Sequence, residues 1–263
     1  MSPNAYRYPS ERIILMITLL LIFILLTLVA GPTICLLPLM VGGMILLGYW
    51  INQNHHQSLM QNARAVTPTD TPELSRLVQQ CSSRLAPGAV EVYVVSSRAR
   101  NAYTFGFSSP RVVVLFSSLF RVMDEAELRF IIGHEMGHVV LGHTWLNTLL
   151  GGMAGVPLPF GAAILLIVAF RWWNRACEYS ADRAGLIACG SLQKATSALV
   201  KLVADNVQTQ AELQRALEVI DREDDSLTNI LGETLSTHPM TIRRIEELRR
   251  FAASPEYQRT LRA

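Results

Sequence analysis

Charge is scarce in this chain. Of its 263 residues 17% are Asp, Glu, Lys or Arg and 50% are hydrophobic, which is apolar for a soluble protein. Ile13 to Asn54 runs for 42 residues without one of those four side chains. The net charge of +2 is too small to argue for a nucleic-acid partner. Cysteine is scarce as well. Cys35, Cys81, Cys177 and Cys189 are scattered and none forms a C-x-x-C, which argues against a disulfide framework and a cysteine-rich zinc site. Cys177 reads instead as a small buried apolar side chain. There is no internal repeat and no low-complexity segment. The length suits a membrane anchor plus one catalytic domain.

The uncharged run divides in two. Ile13 to Ala30 is eighteen apolar or small residues, roughly 27 Å as a helix, enough to cross the hydrocarbon core. Gly31-Pro32-Thr33 breaks it, and Ile34 to Ile51 is a second run closed by Tyr49 and Trp50, rings that favour the headgroup region. A cleaved signal peptide fits poorly. The first run exceeds the usual apolar core, ends at no A-x-A-like site and is followed by another. The pattern predicts an anchor over residues 1–56, with transmembrane helices at about 13–30 and 34–51. Arg7, Arg12 and Arg64 flank the pair, which places both flanks in the cytoplasm.

Residues 57–263 read as the catalytic domain. His55 to Thr71 is a polar linker. Thr71-Pro72-Glu73 starts a helix running to about Leu85. Val90 to Ser96 and Arg111 to Phe116 read as strands, with Asn101 to Phe107 a connection that bends at Gly106. Asp124 with Glu127 is a capping-box pattern opening the next helix. A further helix spans roughly Trp172 to Cys189, and helical pattern fills the last eighty or so residues.

Histidine is rare too, yet two of the six stand in His134-Glu135-Met136-Gly137-His138. This is an H-E-x-x-H motif on a helix, where positions i and i+4 lie about 40° apart around the axis. Both imidazoles can hold one Zn²⁺, and Glu135 can take a proton from a metal-bound water. Gly133 and Gly137 flank the motif. Glycine costs about 1 kcal/mol within a helix, so the pair predicts close packing. A third ligand is needed. His143 is near in sequence but, on a continuing helix, points about 140° from His138, and it misses the metzincin spacing. Glu178 is the better candidate. Asp182 shares its helical face and is placed to accept a hydrogen bond from a ligand histidine.

The chain resembles the HtpX-like membrane zinc metallopeptidases, a family related to the zinc-dependent CAAX prenyl proteases. The resemblance rests on Asn101-Ala102-Tyr103 with Gly106, on the H-E-x-x-H, on Glu178-x-x-Ala181-Asp182, and on Ser236-Thr237-His238-Pro239 with Arg244-Ile245. It implies an α+β, zincin-type (gluzincin-like) domain, mostly helical with a small β-sheet, carried on the transmembrane hairpin. It implies that His238 and Arg244 hold substrate or the tetrahedral oxyanion. It also puts an extended polypeptide substrate along the sheet edge at Asn101, Ala102 and Tyr103. One departure stands out. The family's double-spanning insert is replaced by the 27 uncharged residues Thr144 to Phe170. Two crossings need about 40 residues. One crossing would split the ligands across the bilayer, so this segment predicts a short apolar hairpin.

These readings converge on a membrane-bound zinc endopeptidase acting on misfolded or membrane proteins, in a bacterial cytoplasmic membrane with its active site inside. Its expected partners are polypeptide substrates and the lipid bilayer. Nothing in the sequence specifies an oligomeric state. A CAAX-type processing protease fits less well, because those enzymes enclose a many-helix chamber. A non-catalytic scaffold fits poorly with an intact His134, Glu135, His138 and Glu178.

Overall fold

Two long helices meet along a seam of small residues, and the other elements are arranged around that seam. The computed structural model describes residues 3–30, 60–106, 109–144, 161–203 and 239–262, with short stretches between 42 and 58 and between 211 and 215. In chain order the elements are α1 (Glu11–Ala30), β1 (Ala63–Ala65), α2 (Pro72–Leu85), β2 (Val90–Val95), β3 (Ala102–Phe105), β4 (Arg111–Phe116), α3 (Leu119–Val122), α4 (Glu125–Leu141), α5 (Gly161–Cys189), α6 (Leu192–Val203), α7 (Pro239–Ala252) and α8 (Pro255–Arg262). The described fold is mostly helical with one small mixed sheet.

The strands lie in the order β1-β2-β4-β3. β2 and β4 are parallel, while β1 and β3 are antiparallel to their neighbours. β4 is flanked on both sides, and its Val113, Val114 and Leu115 are fully buried, as an interior apolar strand requires. Among the described residues β3 pairs with β4 alone, Thr104 opposite Val113, so there it is an edge.

α4 begins as its sequence predicts. Asp124 Oδ1 accepts from the N–H groups of Ala126 and Glu127, both at 3.0 Å, and Glu127 Oε2 accepts from Asp124 N–H at 2.8 Å. The helix ends at Gly142, whose φ of +78° is left-handed and therefore suits glycine. Between its caps α4 is buried nearly all round. α5 covers one face of it, and α2, α6 and the sheet cover the rest. Leu77 and Leu85 of α2, Leu115 of β4, Phe130, Ile132 and Met136 of α4, Leu186 of α5, Leu199 of α6 and Ile245 of α7 form one core.

The approach of α4 to α5 depends on missing side chains. A Cβ on Gly137 would stand 2.7 Å from Ala184 Cβ and 3.2 Å from Ala181 Cα. One on Gly133 would overlap Ala188, and one on Gly185 would lie 2.8 Å from the Phe130 carbonyl oxygen. This is the close packing that the two flanking glycines predict.

Several expectations change. β1 falls in the segment read as linker, and a three-residue strand is too short to show periodicity. β3 is a strand where a bend was expected. Its residues are all half-buried, so Ala-Tyr-Thr-Phe carries no alternation. α5 starts at Gly161, not Trp172, so the second arm of the expected apolar hairpin runs unbroken into the Glu178 helix. Residues 145–160 lie outside the described residues, as does most of the second expected membrane helix. Among the described residues no helix is long and apolar enough to cross a membrane. α1 nonetheless exposes Ile13, Met16, Leu19, Leu20, Leu21 and Phe23 at 49 to 71%.

The seam yields a prediction. Gly137→Ala forces α4 and α5 apart, and overpacking of this kind costs about 1–3 kcal/mol. Gly142→Ala meets open space and bears only backbone strain. Thermal melting of the two variants should show the larger loss at Gly137, and only that variant should bind metal more weakly.

Candidate metal centre

His134 and His138 stand one turn apart on the face of α4 that meets α5, and the seam brings Glu178 opposite them. The two Nε2 atoms are 3.2 Å apart. Glu178 Oε2 lies 3.6 Å from His134 Nε2, and its Oε1 lies 3.5 Å from His138 Nε2. One ligand atom from each of the three residues falls within 4.8 Å of the others. A tetrahedral ion with bonds of roughly 2.0–2.1 Å separates its ligand atoms by about 3.3 Å. The three atoms therefore already sit near the spacing of one tetrahedral face. Nitrogen, nitrogen and carboxylate oxygen are a donor set suited to zinc.

The remaining ring nitrogens are engaged from behind. His134 Nδ1 lies 3.0 Å from Asp182 Oδ1. Arg244, from α7, donates to Asp182 through Nε at 2.8 Å and Nη2 at 2.7 Å, and its Nη1 lies 3.1 Å from Glu178 Oε2. Burial opposes charge on all three groups, but their mutual attraction outweighs it. Glu178 is held well below the ordinary carboxylate range by Arg244 and the two imidazoles. Asp182 is lowered by Arg244 and His134. Arg244 is raised by Asp182 and Glu178. Burial alone would depress His138, yet Glu178 and Glu135 raise it.

His143 does not continue α4, because the chain has already turned at Gly142. It folds back behind the motif, with Nδ1 2.9 Å from His138 Nδ1 and Nε2 3.1 Å from Glu11 Oε1. That second approach lies off the ring N–H axis. Burial pushes His143 down to about 4, against the pull of Glu11. The sequence reading set His143 aside as a ligand and passed over Glu11. Two signals were available: a histidine directly after a left-handed glycine, and the only acidic residue among the first 69, at the edge of an uncharged run.

Glu135 points into the same cleft. Thr104 of β3 donates to its Oε2 at 2.5 Å and to its backbone carbonyl oxygen at 3.2 Å. Thr104, like Glu11, was not among the sequence candidates, and His143 was weighed there only as a metal ligand. The cleft holds about 340 Å³ and is lined by Asn101, Ala102, Tyr103 and Thr104 on one side and the three metal-site residues on the other. Asn101 Oδ1 accepts from Ala102 N–H at 3.0 Å. Among the described residues, the buried hydroxyls of Tyr103 and Thr144 have no hydrogen-bond partner. Burial pushes the Tyr103 phenol up to about 12. Arg244 reaches the centre, while His238 lies outside the described residues.

With this geometry in hand, comparison with known proteins is specific. The sequence model of peptidase family M48 matches residues 68–252. The plastoglobule-localized metallopeptidase 48, chloroplastic, of Arabidopsis thaliana is 29% identical over 215 residues, covering 75% of this chain and 62% of that protein. The chain thus spans less than two thirds of that relative. A protease HtpX homolog of Ralstonia nicotianae is 27% identical over 249 residues, covering 82% of this chain and 86% of that protein. One from Paraburkholderia phytofirmans is 26% identical over 260 residues, covering 87% and 90%.

The ion cluster predicts an acid limb. Arg244→Ala strands the buried Asp182 carboxylate and the partly buried Glu178, and should destabilise the metal-free protein by about 3 kcal/mol in urea unfolding. Because both carboxyls titrate below their ordinary values, their contribution is complete above about pH 4. It is lost as pH falls through the lowered folded-state values. Unfolding of the wild type measured across that range should show the decline, and Asp182→Asn should flatten it.

Proposed function

The chain belongs to peptidase family M48, and on that premise we propose that this metalloprotease is a membrane-associated zinc endopeptidase. The convergence of His134, His138 and Glu178 at tetrahedral spacing, with Glu135 beside them, carries the reading. These three residues would hold the ion. Bound zinc supplies Lewis-acid polarisation of a carbonyl and lowers the pKa of a water.

The protein's own groups do the rest. Thr104 fixes one oxygen of Glu135 and leaves the other to accept a proton from the attacking water and deliver it to the leaving amine. Asp182 keeps the hydrogen of His134 on Nδ1, so that Nε2 presents a lone pair to the metal. Arg244 Nη1, beside Glu178, is the cation nearest the metal position and supports negative charge on the reacting carbonyl, with His238 as the second group assigned to that role. An extended polypeptide docks along the outer edge of β3 at Asn101, Ala102 and Tyr103 through main-chain hydrogen bonds. Such binding tolerates many sequences, which suits hydrolysis of misfolded or membrane proteins.

The exposed apolar face of α1 and the uncharged run beyond it support anchorage of residues 1–56 in a bacterial cytoplasmic membrane. The flanking arginines favour a cytoplasmic active site. Residues 57–263 form the peptidase domain, with 144–170 its apolar excursion.

Purified full-length protein should carry one zinc per chain and digest casein, lose activity to a chelator and regain it with zinc. Glu135→Gln should keep the zinc and lose the ~10²–10⁴ in turnover typical of a missing general base. Near-normal digestion by the zinc-loaded variant would overturn the mechanism.

A further inference from the structure

The segment ahead of α1 is fastened into the catalytic domain. Tyr6 and Glu11 are 1% and 2% exposed. Arg7 donates to the Leu141 carbonyl oxygen at the end of α4 at 3.1 Å. Tyr8 N–H donates to Ser180 Oγ at 2.8 Å, between Glu178 and Asp182 on α5. Ser180 Oγ also donates to Glu11, and Arg7 pairs with the same carboxylate. The guanidinium of Arg183 stands 5.1 Å from the Tyr8 ring centroid.

Glu11 faces His143, and His143 faces His138. The two Nδ1 atoms, 2.9 Å apart, can share only one hydrogen. A histidine that offers Nε2 to a cation carries its hydrogen on Nδ1, so His138 donates and His143 Nδ1 accepts. Neutral His143 then carries its hydrogen on Nε2, on the side of the Glu11 carboxylate. Asp182 does the same for His134 in one step. Each histidine of the motif is thus backed by a buried carboxylate, one from α5 and the other from the N-terminus of α1.

We propose that His143 and Glu11 are positioning residues of the metal centre, acting in series to fix the tautomer and ring orientation of His138. The N-terminus of α1 is therefore a working part of the site. This rests on the zinc reading above. Glu11, His143 and Cys177 also bring potential ligand atoms within 4.8 Å of one another. Arg7 already supplies a cation to Glu11 there, which disfavours a second metal ion.

The test is zinc affinity of the full-length protein in detergent, by competition with a chromophoric chelator. Folding is checked by near-UV circular dichroism of each metal-free variant. Loss of such an outer partner weakens metal binding by about 10–100-fold. His143→Leu, which keeps bulk but has no acceptor, and Glu11→Ala should each show that loss. The double variant should be no weaker than His143→Leu alone, since the two act in series. Glu11→Gln should stay within a few-fold of wild type, because the amide oxygen still presents an acceptor on the Nε2 side of His143. If Glu11→Ala fails to fold, His143→Leu and Glu11→Gln decide the matter. Wild-type affinity in His143→Leu overturns the proposal, as do losses that multiply in the double variant. Two zinc ions per wild-type chain, one of them lost in Glu11→Ala, also overturn it in favour of a second metal site. A wild type that binds no zinc overturns the zinc reading, and the relay falls with it.

Discussion

The centre depends on how closely α4 can approach α5. A metal ion tolerates ligand displacements of only tenths of an ångström, and the two helices supply ligands to the same ion. Gly133, Gly137 and Gly185 remove the side chains that would hold the helices apart, and Ala181, Ala184 and Ala188 fill the seam. The apolar core on the remaining faces of α4 presses the helices together. Helix propensity is given up at three positions so that His134, His138 and Glu178 can meet.

Charge is the second constraint. Glu11, Glu135, Glu178 and Asp182 gather around the centre, and among the described residues Arg7 and Arg244 are the cations that offset them. Two negative charges remain, the charge of one divalent cation. A metal-binding cluster built this way is strained when empty and balanced when filled, so ion binding and folding reinforce one another. Arg244 makes the empty state tolerable by joining Asp182 to Glu178.

Much of this was legible in the sequence for local reasons. The H-E-x-x-H spacing, the Glu178–Asp182 spacing and the capping box at Asp124 each lie within a turn or two of helix. The valine-rich strands at 90–95 and 111–116 are short-range signals too. What escaped depends on long-range geometry. Glu11 meets His143 across a separation of 132 positions, a contact no periodicity encodes. His143 was judged on a continuing helix, whereas Gly142 turns the chain first. Thr104 required β3 to be a strand beside α4. Arg244 entered through family resemblance, since a second arginine beside Arg243 otherwise looks like a solvated face.

The centre also has a chronology. Its parts are spread from Glu11 to Arg244, nearly the full length of the chain, and a ribosome releases them in that order. Glu11 emerges first, the H-E-x-x-H far later and α7 after all the other parts. Until α7 arrives, Asp182 and Glu178 have no guanidinium between them, and the cleft lacks one of its walls. A peptidase is most dangerous to its neighbours while it is still being made. In this chain the last wall of the cleft arrives only after every other part of the centre.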